Sequence, residues 1–283
     1  MILVADSGST TTNWCMVGPD NSRFYFDTEG YNPYTTGTEY IKKSILAQLP
    51  SQVNAATASA VYFYGSGCFD DKVQVVLDAL APIFFNAQLY VGLDLLGTAR
   101  AVLGNNPGFA AILGTGTNSC LYDGQKITDN IDSLGHLLGD EGSGFYMGKM
   151  LLGDFIRGYM PAAVRHEFTH TYGLTREAIM DRLYTQPLPN RFCAGFTSFL
   201  STSRADAGYT RNIVQTAFDH FFNNLVTHYP NYAQYSFNCT GSVGYAFKDL
   251  LAETATRYNM QAGTIIKTPI EGLVEHHAKI FKQ

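Results

Sequence analysis

The chain is 283 residues long, enough for two cores, and at 46% hydrophobic and 15% charged residues it has the composition of a folded globular protein. A formal net charge of −5 leaves no basic excess to neutralise phosphodiesters, which argues against a nucleic-acid partner but not against a small anion held by backbone N–H groups. No apolar run approaches the roughly 18–20 residues that cross a bilayer, so no membrane partner is expected.

The first residues, Met1-Ile2-Leu3-Val4-Ala5-Asp6, form an apolar strand entering a turn and lack the basic region of a secretion signal. Further strands are expected over 14–17, 24–26, 60–64 and 88–91, with helical patterns over 38–49, 70–80 and 93–103. Asn105-Asn106-Pro107-Gly108 is a breaker. A strand over 109–113 follows, then a Gly/Thr turn and a second strand over 119–122. From 142 to 229 the pattern is mostly helical, strongest over 144–158, 176–184 and 210–228. A strand over 235–240, a helix to about 258, a strand over 263–267 and a last helix opened by Pro269 complete the chain. Five scattered cysteines, Cys15, Cys68, Cys120, Cys193 and Cys239, contain no Cys-x-x-Cys pair and read as reduced, mostly buried thiols of a cytoplasmic protein.

The segments starting at Ile2 and at Phe109 share a pattern: an apolar strand, a turn of Gly, Ser and Thr, and a second strand. That internal repeat implies two domains of related architecture. Alternating strands and helices make the fold class α/β.

Both turns suit phosphate. In Asp6-Ser7-Gly8-Ser9-Thr10-Thr11-Thr12 the small residues let the backbone approach a ligand, and the hydroxyls add hydrogen bonds. Asp6, at the strand end, suits Mg²⁺ held through water. Alone, this loop reads equally as a hairpin with polar turn residues. The second loop, Gly114-Thr115-Gly116-Thr117-Asn118-Ser119, repeats the chemistry and favours a nucleotide.

Five motifs in order resemble the actin-like ATPase superfamily of sugar kinases, within it the N-acetylglucosamine kinase/BadF–BadG–BcrA–BcrD group. They are the loop from Asp6 to Thr10, the strand-turn from Tyr62 to Cys68, the loop from Leu113 to Ser119, the run Gly135-His136-Leu137-Leu138-Gly139-Asp140-Glu141-Gly142-Ser143, and Thr240-Gly241-Ser242-Val243. The resemblance spans essentially the whole chain. It implies a two-domain actin-like ATPase (ribonuclease H-like) fold with an interdomain nucleotide cleft. The expected domains are 1–105, completed by the C-terminal helix 268–283, and 106–267, which carries a helical insertion.

The implied reaction is phosphorylation of an amino sugar, N-acetylglucosamine first, to its 6-phosphate, with ATP and Mg²⁺ as cofactors. Asp94 would be the catalytic base; a capping aspartate is the plain alternative at a helix start. Asp6, Gly8, Ser9, Thr10, Thr11, Thr12, Gly114, Thr115, Gly116, Thr117, Gly241 and Ser242 would hold the nucleotide. Asn32, Asp94, Thr115, Gly116, Asn118, Gly135 and Asp140 would hold the sugar, and a homodimer is expected. Thr11 stands where these kinases carry Lys or Arg, and Leu134 where they carry an aromatic. Other readings are an activator ATPase, which needs cysteines for an iron–sulfur cluster, and a non-catalytic sugar or nucleotide sensor. His166-Glu167-Phe168-Thr169-His170 matches the zinc-peptidase pattern by spacing, but no third ligand or extension follows it. His276 and His277 read as solvated helix residues.

Overall fold

A strand that is apolar on both faces must be covered on both, and β1 (Ile2–Ser7) is such a strand. In the computed structural model, which describes residues 1–8 and 10–281, Leu3 and Ala5 enter one core with Trp14, Ile41, Phe63 and Leu80. Ile2 and Val4 enter another with Tyr64, Leu273 and Val274. β1 pairs antiparallel with β2 (Thr11–Val17), and β2 with β3 (Arg23–Glu29). On its other side β1 runs parallel to β4 (Ala60–Gly65), and β4 to β5 (Gln88–Leu93). The sheet order is β3-β2-β1-β4-β5. Helices α1 (Thr38–Gln48) and α2 (Lys72–Leu80) fill the first core, and α3 (Asp94–Leu103) packs on β4 and β5. α2 begins two residues later than the periodicity suggests because Asp70 is left-handed, with φ 48°.

The second sheet repeats the plan. Read from β8 (Ile127–Asp129), its order is β8, β7 (Thr117–Tyr122), β6 (Gly108–Leu113), β9 (Phe237–Thr240), β10 (Ala262–Ile266). Shifted by five strands, this is the order of the first sheet, so β1 and β6 hold the same central place. The repeat is one of topology more than of residues.

Between β8 and β9 lie α4 (Gly135–Leu138), α5 (Gly144–Arg157), α6 (Ala162–Tyr172), α7 (Arg176–Tyr184), α8 (Pro189–Ala194), α9 (Thr197–Thr202) and α10 (Ala207–Asn224). Leu225 leaves helical geometry and ends α10 short of the expected 228. After β9 the expected single helix is two, α11 (Ser242–Ala246) and α12 (Lys248–Arg257), broken at Phe247. An aromatic-rich core, including Phe168, Phe218, Phe221, Phe222 and Phe237, fills this part of the chain.

The chain divides into two compact units. The first comprises Met1–Pro107, Tyr122–Ile127 and Thr268–Gln283; the second comprises Gly108–Leu121 and Thr128–Lys267. The last helix, α13 (Ile270–Phe281), packs on β1, β2 and α3. His277, expected in solvent, is only 2% exposed. Its ring stacks on Tyr62 with centroids 3.8 Å apart, and its Nε2 lies 2.8 Å from the Tyr64 hydroxyl, which also accepts from Arg100 at 2.6 Å. An apolar helix face docked on a sheet carries its interspersed histidine inside with it.

Candidate active site

Strand alternation puts Asp6 on the face of Ile2 and Val4, the face that meets α13. β5 ends at Leu93 and α3 starts at Asp94, which brings a second carboxylate to the same end of the sheet. Asp94 is the first residue of α3 and not its cap: Leu93 occupies the cap in extended geometry. The Asp94 Oδ1 accepts the Leu95 N–H at 2.8 Å. Burial pushes the Asp6 carboxyl up to about 7, and the charge of Asp94 adds to the rise. Burial also raises Asp94, to about 6, against its bond from Leu95.

The Gly8 N–H donates to Thr11 O at 3.0 Å, closing the β1–β2 hairpin, and Ser9 lies outside the described residues. Thr10 and Thr11 are exposed. Thr12 is not: its hydroxyl is fully buried, donates to Glu29 O at 2.8 Å, and lies 2.7 Å from the Ser7 Oγ. Ser7, which the sequence reading passed over, also accepts the Tyr31 N–H at 3.0 Å. The pair anchors the loop to the segment that leads into Asn32. The Asn32 Oδ1 accepts the Tyr34 N–H at 2.9 Å and rests 2.8 Å from where a Cβ on Gly67 would stand. Cys68, next in that turn, has its thiol pushed up to about 12 by burial and by the charge of Asp94. Asp6, Asn32, the Gly67 turn and Asp94 therefore form one neighbourhood of the first unit.

In the second unit the Gly114–Ser119 turn is braced from two sides. The first amides of α5 donate to it: Gly144 N–H to Gly114 O at 2.8 Å and Phe145 N–H to Thr115 O at 3.0 Å. Ser143 caps the helix by accepting the Tyr146 N–H at 3.0 Å, so the turn and the cap absorb donors that a helix N-terminus leaves open. Within the turn, Gly114 N–H donates to Gly116 O at 3.0 Å. The second brace is Asp140, left-handed at φ 57° and 7% exposed, whose Oδ1 accepts the Thr117 N–H at 3.0 Å. A Cβ on Gly116 would stand 2.8 Å from that oxygen, so any side chain there would push the carboxylate aside. Burial raises the Asp140 carboxyl above the usual range, while the Thr117 N–H, His136 and Lys149 pull it back. The Asn118 Oδ1 accepts from Ser119 N–H at 2.9 Å and Asn130 Nδ2 at 3.0 Å. Gly135 opens α4, a short turn that leaves Leu134, Leu137 and Leu138 exposed.

A cavity of about 310 Å³ starts at Gly114 and Thr115 and passes Ser242, Val243 and Ala246. Its other wall is Gly195, Thr197, Ser198 and Ser201, from the α8–α9 region. The size is at the lower end of small-molecule sites. A second cavity, about 370 Å³, continues past Ser201 and Ala246 towards Arg211 and Glu253. Gly241, which precedes Ser242 in the chain, donates its N–H to Ile266 O at 3.1 Å. The α8–α9 wall is absent from the expected site; its only signal is the run Thr197-Ser198-Phe199-Leu200-Ser201-Thr202.

His166 and His170 are exposed on α6, and Glu167 accepts from Ser203 Oγ at 2.6 Å and Ala205 N–H at 3.3 Å, a local tie to the loop before α10. Among the described residues no group of three or more His, Cys, Asp or Glu side chains is placed to hold a metal ion. All five cysteines are buried and free. No helix of the described residues is long and apolar enough to cross a membrane.

No family model matches the chain, and no curated protein matches it. Solved structures do. Two are described as "Putative N-acetylglucosamine Kinase". The one from Porphyromonas gingivalis is 37% identical, with a TM-score of 0.94 over 99% of both chains. The one from Chromobacterium violaceum is 18% identical, with a TM-score of 0.70 over 97% of this chain and 98% of the other. A ROK family glucokinase from Streptomyces griseus, in complex with glucose and AMPPNP, shares the fold at 12% identity and a TM-score of 0.57 over 100% and 99% of the two chains. With more than a third of its residues shared with the Porphyromonas structure across nearly the whole length, this chain belongs to the N-acetylglucosamine kinase family and is an ATP-dependent carbohydrate kinase of the actin-like ATPase fold.

Proposed function

We propose that the chain transfers the γ-phosphoryl group of ATP to the 6-hydroxyl of N-acetylglucosamine, giving the sugar 6-phosphate and ADP. The observation that carries this reading is Asp94, a carboxylate at the first residue of α3 whose burial raises it to about 6. It is ionised at neutral pH and basic enough to take the proton of the attacking hydroxyl, help worth about 10²–10⁴ in rate. The 37% identity to the Porphyromonas protein supports the choice of an amino sugar.

Asn32, Asn118, Gly135 and Asp140 hold the sugar hydroxyls and the N-acetyl group in this reading. The Asn32 and Asp140 geometries support it, because each has one oxygen committed to the backbone and further hydrogen-bonding capacity left. The turn from Thr115 to Thr117 holds phosphate, together with Thr10 and Thr11; Thr12 acts from beneath as a brace. Gly241 and Ser242 take the adenosine side of the nucleotide in this reading, and Ser242 lines the cavity.

Mg²⁺ fits the first unit. It takes one or two carboxylates with water and phosphate oxygens, and Asp6 beside Asp94 offers that set, held up to about 7 where a cation would favour the anion. Asp6 would hold the ion through water, and the ion supplies charge neutralisation at the phosphates.

ADP release by the purified chain with Mg·ATP, over a panel of hexoses and N-acetylhexosamines, tests the reading. N-acetylglucosamine is expected to give the highest kcat/KM; no stimulation by any sugar overturns the assignment. Asp94→Asn is expected to lower kcat by about 10²–10⁴ with the fold intact by circular dichroism. Near-full turnover would remove Asp94 from the base role.

A further inference from the structure

We infer that Asp140 couples the two ligands of this kinase: one carboxylate oxygen holds the phosphate-binding turn in shape, and the other takes a hydroxyl of the acceptor sugar. The inference rests on the proposed function above, in which Asp140 is a sugar ligand.

The geometry is local to the second unit. The Asp140 Oδ1 accepts the Thr117 N–H at 3.0 Å, and its two oxygens lie 2.8 and 3.0 Å from the Cβ position of Gly116. Carboxylate and turn are therefore in contact along two successive residues. A carboxylate has about four acceptor sites, so capacity is left for a sugar hydroxyl. Thr117 supplies an independent observation: it is 7% exposed, and its Oγ1 is buried with no hydrogen-bond partner. Buried hydroxyls are ordinarily satisfied, and a ligand oxygen at this turn would satisfy this one.

Of the turn's two braces, the α5 amides are backbone and hold Gly114 and Thr115 without any side-chain charge. The Asp140 brace depends on the position and charge of one side chain. A sugar hydroxyl donating to that carboxylate favours its ionised form, and an ionised acceptor binds the Thr117 N–H more strongly. Sugar binding thus steadies the turn that meets the nucleotide phosphates. Linkage then requires the nucleotide to tighten sugar binding by the same factor. Asp140 acts on the nucleotide through the turn and is a positioning residue in that respect.

The test is calorimetry on the full chain: Kd for Mg·AMPPNP with and without saturating N-acetylglucosamine, with hydrogen exchange of residues 114–117 in sugar alone. In the wild type the sugar is expected to tighten AMPPNP by about 5-fold or more and to slow exchange of the Thr117 amide. Asp140→Asn keeps an oxygen for the Thr117 N–H and loses the charge, so its ratio should fall towards 1. Gly116→Ala displaces the carboxylate without altering it, and its ratio should fall as well. A wild-type ratio near 1, or either variant binding both ligands at the wild-type ratio, overturns the coupling. If Asp140→Asn no longer binds sugar, Gly116→Ala decides alone. Sugar-stimulated ADP release with a ratio near 1 defeats the coupling and spares the kinase reading; no sugar binding at all defeats both.

Discussion

At the scale of single residues, type alone does not separate a ligand from a brace. Thr10, Thr11 and Thr12 look alike in the sequence, and all three suit a phosphate. Burial sorts them: Thr12 lies under the loop with its hydroxyl spent on Glu29 and Ser7, while Thr10 and Thr11 face out. The same bracket gives Ser7 a role that the sequence hides, because its acceptor oxygen serves the buried Tyr31 N–H, 24 residues away. Ser7→Ala leaves that N–H without an acceptor, and about 1–3 kcal/mol of stability should be lost in denaturant unfolding. A midpoint within error of wild type would show that the bracket carries no such weight.

Among the elements, α13 departs most from its sequence reading. Its apolar face predicts docking, but the neighbours of His277 are Tyr62 and Tyr64 on β4, more than two hundred residues earlier. Burial, with the nearby His276 and Arg100, lowers the His277 imidazole to about 3. The native chain therefore holds His277 neutral, whereas the unfolded chain protonates it near 6.5. Stability is lost as pH falls from about 6.5 towards 3, the range in which only the unfolded state binds the proton. Between pH 7 and 5 this amounts to about 2 kcal/mol. His277→Gln should flatten that part of the stability–pH curve; an unchanged slope would assign the acid sensitivity to other groups. At the start of α5, by contrast, the motif was legible and the resemblance gave Asp140 a place at the sugar. The helical pattern over 144–158 follows that motif, and the structure adds that Asp140 and the first amides of α5 are fastened to the turn from Gly114 to Thr117.

For the molecule as a whole, each unit has its own core. The single tryptophan, Trp14, is 1% exposed in the first, stacked on Phe26, while Phe218 is fully buried in the second. Phe218→Ala should cost about 3–5 kcal/mol. The loss should fall on the second unit: the far-UV circular dichroism transition moves to lower denaturant more than the Trp14 fluorescence transition does. Equal shifts in both signals would mean that the units unfold as one.

The sequence by itself determined the α/β class, the order of strands and helices, the repeated strand–turn–strand opening and the kinase family, because each is written in residues near one another along the chain. Period-2 and period-3.6 patterns, turn residues and motif order are local signals. Only the tertiary structure decided that Thr12 is buried beneath its loop while Thr10 and Thr11 are exposed, that the charge of Asp94 adds to the burial that raises Asp6, that Asp140 leans on Gly116 and Thr117, and that α8 and α9 wall the cavity at Gly114 and Ser242. Those facts depend on burial and on contacts between distant segments. Burial is a property of the packed chain, and it sets the electrostatics that raise the Asp6 and Asp94 carboxyls.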